Sequence, residues 1–376
     1  MQELIGQVAP RVGVDLAKNQ FQLHCENNRG RILWAKSISR DRFLGWCASN
    51  LPPGSTIAME ACSGAHHWAR KLQALGFLPV LLPAHLVEPY RRQGKRGKND
   101  ANDAAAIWEA AGRPRIHTVP VKSPAQQGIL AVHALRECYK KQRTAIINTM
   151  RSLLAEAGVV FPQGPNELRL RLADALEDAS NELTVVARMA LQRAHMHWLD
   201  LELQMAWCED QIKQHARCDA QARAISAIAG IGPITASAMV AKVQDFGQFA
   251  SAGQFGGWLG VTPSQDSSGG KTRLGRITKR GDTYLRTLLI QAAKSAVMTA
   301  HKRSDPISRW VVQLQARVGW QKAVVALANK HARIVWAMLV KGRSFDAEHV
   351  SQWSTRKLVH NTMQPDMAVS DAGRLA

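Results

Sequence analysis

The sequence predicts an α/β N-terminal part followed by a mainly α-helical remainder. Residues 11–37 alternate apolar and polar side chains in runs separated by turn signals, which is typical of three strands. Helical and strand patterns then alternate as far as residue 83, and this order predicts a mixed sheet flanked by helices. Beyond residue 124, glycine and proline become scarce over long stretches, where amphipathic periodicity predicts long helices.

The N-terminal elements that follow the three strands are predicted from apolar runs and the residues that bound them. A capping residue before an amphipathic run favours a helix start, and a glycine after it favours a helix end. These rules give a helix over 41–50 started by Asp41, a buried strand over 55–60, an amphipathic helix over 65–76 stopped by Gly76, and an apolar strand over 77–83.

The helical remainder divides into an arm and a C-terminal domain. Imperfect heptads in the long amphipathic segments favour a coiled-coil-like arm that serves oligomerisation or spacing. Further on, "GIGP" joins two helical runs as in a helix–hairpin–helix, where glycines let backbone N–H groups approach a phosphate. We therefore expect an α/β domain over 1–122, the arm over 123–220, the C-terminal domain over 221–345 and a poorly ordered tail over 346–376.

The charge of the chain predicts a polyanionic partner. It carries 49 Lys and Arg against 29 Asp and Glu, a formal net charge of +20. Such an excess is typical of proteins that bind nucleic acid, and here it is concentrated in two runs. The residues expected to contact nucleic acid are Arg91, Arg92, Lys95, Arg96 and Lys98 in the first run, Gly230 and Gly232 in the hairpin, and Lys271, Arg273, Arg276, Lys279 and Arg280 in the second run.

The cysteines and the apolar segments indicate in which cellular compartment the protein is expected. The six cysteines form no C-x-x-C pair, which argues against a zinc knuckle and is typical of reduced thiols in a cytoplasmic protein. The start, "MQELIGQVAP", lacks the charged region and apolar core of a signal peptide. No apolar stretch reaches the ~18 residues of a membrane span, so we expect a cytoplasmic protein without one.

Four acids stand where an active site needs them. Asp100 and Asp103 open a helical segment, either as helix caps or as metal ligands, since residues three apart share one helix face. Asp15 follows the apolar start of the first strand and Glu60 ends a later strand; taken alone, Asp15 could be a strand-end residue at a turn and Glu60 an exposed loop acid. The ordered set of four acids favours a shared site. Carboxylates that converge from separate elements suit Mg²⁺ or Mn²⁺ in phosphodiester cleavage or transfer, and this order of acids is seen in ribonuclease-H-like nucleases.

The motifs around these acids resemble those of a known family. "GVDLAKNQFQLH", "AMEACSGAHHWA" and "GKRGKNDANDAAAI" are similar to the three acidic motifs of the DEDD transposases of the insertion-sequence-110 family. The stretch from "IAGIGPITASAMVAKV" to "RGDTYLRTLLIQAA" resembles the transposase domain of that family, in particular of its 1111 subgroup. The resemblance covers about residues 10 to 345, with the motifs in the same order.

The resemblance implies a fold, a mechanism and partners. It implies a RuvC-like (ribonuclease-H-like) N-terminal domain in which Asp15, Glu60, Asp100 and Asp103 hold Mg²⁺ or Mn²⁺. It implies that a serine of "PSQDSSGG", Ser268 with Ser267 as the neighbouring alternative, attacks DNA and forms a phosphoserine intermediate. It further implies a structured guide RNA (bridge RNA or seekRNA) that pairs with donor and target DNA. A homodimer or homotetramer is expected.

Three other functions remain open from the sequence. A junction nuclease of the RuvC type would use water as the nucleophile, so that Ser268 would be dispensable. A DNA invertase would share the frame and act without a guide RNA. A non-catalytic nucleic-acid-binding protein would need no metal, although the presence of all four acids argues against it.

Overall fold

The computed structural model describes residues 10–27, 29–91, 100–114, 116–266 and 273–349, apart from the side chains of Asp100 and Ala101. The chain forms two compact units, Met1–Gln127 and Gly128–Ala376. The sequence predicts four segments with boundaries at residues 122, 220 and 345. That finer division stays a prediction. The expected tail falls largely outside the described residues.

A five-stranded mixed sheet lies at the centre of the first unit. The strands are β1 Arg11–Leu16, β2 Gln20–Glu26, β3 Ile32–Ser39, β4 Thr56–Glu60 and β5 Leu78–Leu82. Their spatial order is β3-β2-β1-β4-β5, with β1–β2 and β2–β3 antiparallel and β1–β4 and β4–β5 parallel. The three strands predicted between residues 11 and 37 are confirmed, as are the two apolar strands that follow.

Helices cover both faces of this sheet. They are α1 Phe43–Asn50, α2 Ala65–Ala74, α3 Ala84–Val87 and α4 Asp100–Ala111, with a 3₁₀ turn at Glu88–Tyr90. On one face, Val12, Val14, Ile57 and Met59 join one core cluster with residues of α1 and α2. On the other face, Ala58 and Leu82 pack with α4. Successive strand residues point to opposite faces, so the pattern of odd and even positions decides which side chains meet α4.

The expected start of the first helix at Asp41 is wrong. Helix α1 begins at Phe43, and its N-cap, Arg42, has helical backbone angles and makes no side-chain cap hydrogen bond. The Asp41 carboxylate interacts with the Ser39 side chain and with the adjacent backbone, and these hydrogen bonds lower its pKa. Asp41 therefore closes the turn after β3 instead of capping α1.

The second unit is built mainly from helices. These are α5 Pro124–Glu156, which starts just before the unit, then α6 Pro165–Glu177, α7 Val185–Cys218, α8 Ala220–Ser226, α9 Pro233–Val243, α10 Ala252–Leu259, α11 Thr283–Thr299, α12 Pro306–Val318 and α13 Trp320–Lys341. Short 3₁₀ turns lie at Phe246–Gln248 and Ala300–Lys302. A two-stranded antiparallel ribbon, β6 Pro263–Gln265 with β7 Leu274–Ile277, interrupts the helices and was not foreseen from the sequence.

The long helices α5 and α7 are tied together at two levels. Near their bases, Arg136 of α5 donates to Glu209 of α7, with Nη2 2.7 Å from Oε1. Farther out, Met150 and Leu154 of α5 share a core cluster with Trp198 of α7 and two leucines of α6. The long helices that the amphipathic pattern predicts are present. Their assignment as an arm, as a coiled coil and as an oligomerisation element stays a prediction.

Helix α13 has the length and composition of a membrane-spanning helix, yet it lies in the core of the second unit. Its buried residues include Val324, Leu327, Ala328, Val335 and Met338, which share a core cluster with α9 and α11. One face of α13 is therefore part of the core of this unit, and no other described helix has the length and apolar composition of a membrane span.

Candidate active site

Two of the predicted acids lie side by side because the strands that carry them are hydrogen-bonded neighbours. In the parallel pairing of β1 and β4, Val14 lies opposite Met59. The next residues on the two strands are Asp15 and Glu60. Alternate residues of a strand share one face of the sheet. Since Val14 and Met59 face α1 and α2, the neighbouring Asp15 and Glu60 point to the opposite face, which α4 covers.

Helix α4 reaches these carboxylates because β1 offers no side chain where the helix crosses it. A Cβ on Gly13 would lie 2.3 Å from the carbonyl oxygen of Ala104 and 2.6 Å from the backbone nitrogen of Trp108. The Trp108 Nε1 donates to the carbonyl oxygen of Arg11 at 2.8 Å, which fixes the contact along the strand. The close approach sets the first turn of α4, with Asp103, beside the strand ends.

An arginine joins two of the acids directly. Arg91 Nη2 donates to Glu60 Oε1 at 2.6 Å, and Arg91 Nε lies 3.0 Å from Asp103 Oδ1 in an ion pair. The Arg91 side chain is 39% exposed, against 15% for Glu60 and 24% for Asp103, so the arginine covers the carboxylates from the solvent side. Arg91 was predicted to contact nucleic acid, and that role stays a prediction beside this pairing.

The charges of Glu60, Asp103 and Arg91 interact across this site. Burial raises the pKa of Glu60, the Arg91 charge and hydrogen bond lower it, and the Asp103 charge raises it further. Burial also raises the pKa of the Cys62 thiol, and the charges of Glu60 and Asp15 add to this effect. The charges of Asp15 and Glu60 thus reach Cys62, and the charge of Asp103 reaches Glu60, all near the carboxyl ends of β1 and β4. Asp100 begins α4 in the same turn as Asp103.

The donor set fits a hard divalent cation. Carboxylate oxygens are the ligands that Mg²⁺ and Mn²⁺ prefer, and Asp15, Glu60 and Asp103 supply them from three elements. Within the described residues no three such groups meet closely enough to form a ready-made metal site, and the Asp100 side chain is not among them. The Arg91 guanidinium already supplies positive charge between two of the acids. The three carboxylates are therefore the right type of ligand for a divalent metal, but Arg91 competes for the oxygens of Glu60 and Asp103.

The second unit carries the other predicted site, a basic surface next to the ribbon. Arg273, Arg276, Lys279 and Arg280 are exposed. Lys279 has a φ of +54°, a left-handed backbone conformation that is uncommon and costs free energy in a non-glycine residue. Ser267, Ser268 and Lys271 lie outside the described residues, as do Arg92, Lys95, Arg96 and Lys98 of the first basic run.

Two glycines hold the basic segment against the end of α10. A Cβ on Gly260 would lie 2.0 Å from the Arg280 carbonyl oxygen, and a Cβ on Gly281 would lie 1.8 Å from the Trp258 carbonyl oxygen. Both glycines have positive φ, so each is required by its backbone conformation and by the close approach. The packing fixes the backbone of Lys279 and Arg280 while their side chains stay exposed.

Two family models match parts of this chain. The model of the Transposase IS116/IS110/IS902 family matches residues 222–307, and a DEDD transposase model of the IS110 type matches residues 12–159. A probable family 20 transposase of Pseudomonas aeruginosa is 41% identical over 331 residues, which are 88% of this chain and 96% of the relative. The chain belongs to the IS116/IS110/IS902 family of transposases.

Two further relatives of this transposase carry names of insertion sequences. The transposase for insertion sequence element IS1328 of Yersinia enterocolitica is 36% identical over 337 residues, 89% of this chain and 98% of the relative. The transposase for insertion sequence element IS1111A of Coxiella burnetii is 35% identical over 334 residues, 89% of this chain and 90% of the relative. The acids of the transposase fall in the DEDD match, and the basic ribbon falls in the other.

Sequence reasoning missed two residues that shape the acidic site of the transposase. Gly13 is needed for the approach of α4, and its signal is an isolated glycine inside a strand pattern, which often marks close backbone approach. The ion pairs of Arg91 had no sequence signal that separated this arginine from the basic run behind it. Gly230 was predicted to approach phosphate, yet a Cβ there would lie 2.2 Å from the Ala292 carbonyl oxygen, so packing against α11 already requires a glycine.

Proposed function

We propose that this transposase cuts and exchanges DNA strands at a divalent metal centre held by Asp15, Glu60, Asp100 and Asp103. The observation that supports this most is the adjacency of Asp15 and Glu60 at the ends of β1 and β4, with Asp103 brought over them by the Gly13 contact. A sheet in which β3, β2 and β1 pair antiparallel while β1, β4 and β5 pair parallel, with acids at these points, also supports a RuvC-like domain.

Each acid has a distinct part in this proposal. Asp15 and Glu60 provide oxygens from neighbouring strands, whose spacing is fixed by backbone hydrogen bonds. Asp103 provides an oxygen from the first turn of α4, with Asp100 at the same helix start. A bound Mg²⁺ or Mn²⁺ would polarise the scissile phosphate and stabilise the charge that builds on it. The protein's own task is to hold four carboxylates close together despite their mutual repulsion.

We propose that Ser268 is the nucleophile. Its Oγ attacks the phosphorus, the bond from phosphorus to a DNA 3′ oxygen breaks, and the serine proton passes to a base. A DNA 3′ hydroxyl of the partner strand later displaces the serine oxygen. The exposed Arg273, Arg276, Lys279 and Arg280 support this role, because arginine and lysine so close along the chain can hold the DNA phosphates.

Sequence choice in this proposal comes from a structured guide RNA that pairs with donor and target DNA. The net charge of +20 supports binding to two kinds of nucleic acid through phosphates, which by itself does not select a sequence. The arm of α5 and α7 would join the copies of a homodimer or homotetramer. The function is that of a cytoplasmic enzyme acting on DNA.

The mechanism is tested by trapping the intermediate. Wild-type protein, guide RNA and a DNA substrate that stalls after cleavage should give a protein–DNA adduct that survives a denaturing gel. Ser268→Ala should lose the adduct and keep DNA binding, while Ser267→Ala, the control for register, should retain it. Adduct formation by both variants would refute the serine mechanism. Cleavage by wild type without any adduct would favour a junction nuclease that uses water.

The guide is tested with RNA-free protein. Such protein should bind DNA without sequence preference, with an affinity that falls steeply with salt, and should not recombine it. Efficient site-specific recombination without RNA would refute the guide and favour a DNA invertase. Strand exchange that persists when metal is removed would instead refute the metal centre.

A further inference from the structure

Arg91 occupies an unusual place for a residue of a DNA-binding surface. Its guanidinium lies against two predicted metal ligands, with Nη2 2.6 Å from Glu60 Oε1 and Nε 3.0 Å from Asp103 Oδ1. It comes from neither β4 nor α4, so it joins the two elements that carry these acids. An ordinary surface ion pair would involve one carboxylate and add little free energy.

The backbone of Arg91 is anchored while its side chain reaches outward. Its N–H donates to the Glu88 carbonyl oxygen at 3.1 Å, which closes the 3₁₀ turn Glu88–Tyr90. The preceding Tyr90 packs against the core cluster that includes α4. The guanidinium can therefore exchange partners by side-chain rotation alone, because the turn that carries it is held by the core.

Arginine and metal cannot share these oxygens at full strength. Mg²⁺ binds oxygen at about 2.0–2.1 Å and demands near-ideal octahedral geometry. A guanidinium nitrogen 2.6 Å from Glu60 Oε1 already uses that oxygen, and it places a positive charge where the cation would sit. A phosphate is an alternative partner of equal quality for arginine, since the planar guanidinium binds its oxygens in pairs.

We propose that Arg91 is an internal counter-ion which holds Glu60 and Asp103 in the free protein and passes to a DNA phosphate when DNA binds, so that metal and DNA bind cooperatively. The inference rests on the proposed metal centre. Free protein then has a weak metal site, because the arginine competes for it. Bound DNA draws the guanidinium away and strengthens the site. By linkage, metal must strengthen DNA binding by the same factor.

The test measures Mn²⁺ binding by electron paramagnetic resonance on the full-length protein, with and without a short DNA duplex. Arg91→Gln removes the competing charge, and Arg91→Lys keeps a charge that cannot span both carboxylates. The matched control is Arg113→Gln, because Arg113 pairs with Glu109 just past the C-terminal end of α4, ten residues after Asp103, and also lies over the ring of Tyr90. Circular dichroism and thermal melts of every variant report whether it is folded.

The expected results differ among the variants. DNA should tighten Mn²⁺ binding by wild type on the order of tenfold, within the usual range of coupling between sites. Arg91→Gln should bind Mn²⁺ about tenfold more tightly than wild type without DNA, and DNA should add little. Arg91→Lys should fall between the two. Arg113→Gln should match wild type in both conditions.

Two outcomes separate failure of this inference from failure of the proposed function. If wild type and folded Arg91→Gln bind Mn²⁺ equally, and Asp103→Asn abolishes the binding, the metal centre stands and the counter-ion role of Arg91 is wrong. If neither wild type nor Arg91→Gln binds Mn²⁺ with DNA present, the metal centre itself is wrong. If Arg91→Gln does not fold, equal Mn²⁺ affinity of Arg91→Lys and wild type without DNA overturns the inference.

Discussion

A Cβ placed on Gly13 would lie 2.3 Å from the carbonyl oxygen of Ala104, so strand β1 and helix α4 touch backbone to backbone at this point. The contact lies two residues before Asp15 on the strand and next to Asp103 on the helix. The spacing of these two acids therefore depends on the absence of a side chain at residue 13.

The first prediction concerns this contact. Gly13→Ala should lower the free energy of unfolding by about 1–3 kcal/mol, because the atom that a methyl group meets is backbone and cannot rotate away. Urea denaturation measures the change. Gly45→Ala in α1 is the control, since a Cβ there has nothing within 4 Å and alanine favours a helix. Equal free energies of unfolding of the two variants would show that the backbone of α4 does not pack closely against Gly13.

The second prediction concerns the carboxylates. Asp15→Ala, Glu60→Ala, Asp100→Ala and Asp103→Ala should each abolish strand exchange in Mg²⁺ while DNA binding persists, because removing one ligand weakens a shared metal site without unfolding the protein. Recombination and gel-shift assays measure the two properties. Glu109→Gln serves as the matched control on the same helix, since Glu109 pairs with Arg113. Full strand exchange by Glu60→Ala would remove Glu60 from the site.

The third prediction concerns pH and a buried histidine that ties α5 to α9 and α11. His133 lies within hydrogen-bond distance of Ser237 Oγ, at 3.0 Å, and of Tyr284 OH, at 2.9 Å. Burial, together with the charges of His215, Arg136 and Lys242, lowers the pKa of His133 to about 4. The unfolded chain binds a proton below about pH 6.5 while the folded protein does not.

Stability should therefore be full above pH 6.5 and fall as the pH drops toward 4, with His133 contributing up to about 3 kcal/mol of the loss. Denaturation curves at several pH values give the slope of the free energy of unfolding against pH. This slope should be shallower in His133→Gln than in wild type. Ser237→Ala removes a hydrogen bond and keeps the imidazole, so it should retain most of the wild-type slope. An unchanged slope in His133→Gln would mean that His133 is charged when folded.

The fourth prediction separates two glycines of the α8–α9 hairpin. Gly230→Ala should destabilise the second unit, because its φ of +85 and its contact with the Ala292 carbonyl oxygen both exclude a side chain. Gly232→Ala should leave stability nearly unchanged, since a Cβ there has nothing within 4 Å. Thermal melts test both. If the hairpin binds phosphate, Gly232→Ala should still weaken DNA binding; unchanged binding would leave the hairpin a purely structural element.

The sequence was most informative where local patterns determine structure. The alternation around Asp15 and the apolar run ending at Glu60 predicted strands, and their adjacency at one sheet edge followed once the strands paired in parallel. The start of α4 at Asp100 was visible from the change in composition after the basic run. These features depend on periodicity, which one sequence displays directly.

Long-range contacts were beyond such patterns. Arg91 lies 31 residues from Glu60 in the chain, and nothing local distinguishes an arginine that pairs with acids from one that faces solvent. Gly230 fits both a phosphate-binding turn and a close packing contact, and only the position of α11 reveals the second. The short ribbon β6–β7 has exposed strands without an apolar face, so it left no alternating pattern to recognise.

The two sides of the acidic site differ in mechanical stiffness. Asp15 and Glu60 stand on adjacent strands, and the hydrogen bonds of a sheet hold such strands about 4.8 Å apart. Asp103 stands on a helix that rests on this sheet through van der Waals contact and the Trp108 hydrogen bond. In the proposed metal centre, a cation of larger radius would be accommodated by displacement of α4, while the paired strands β1 and β4 keep their spacing.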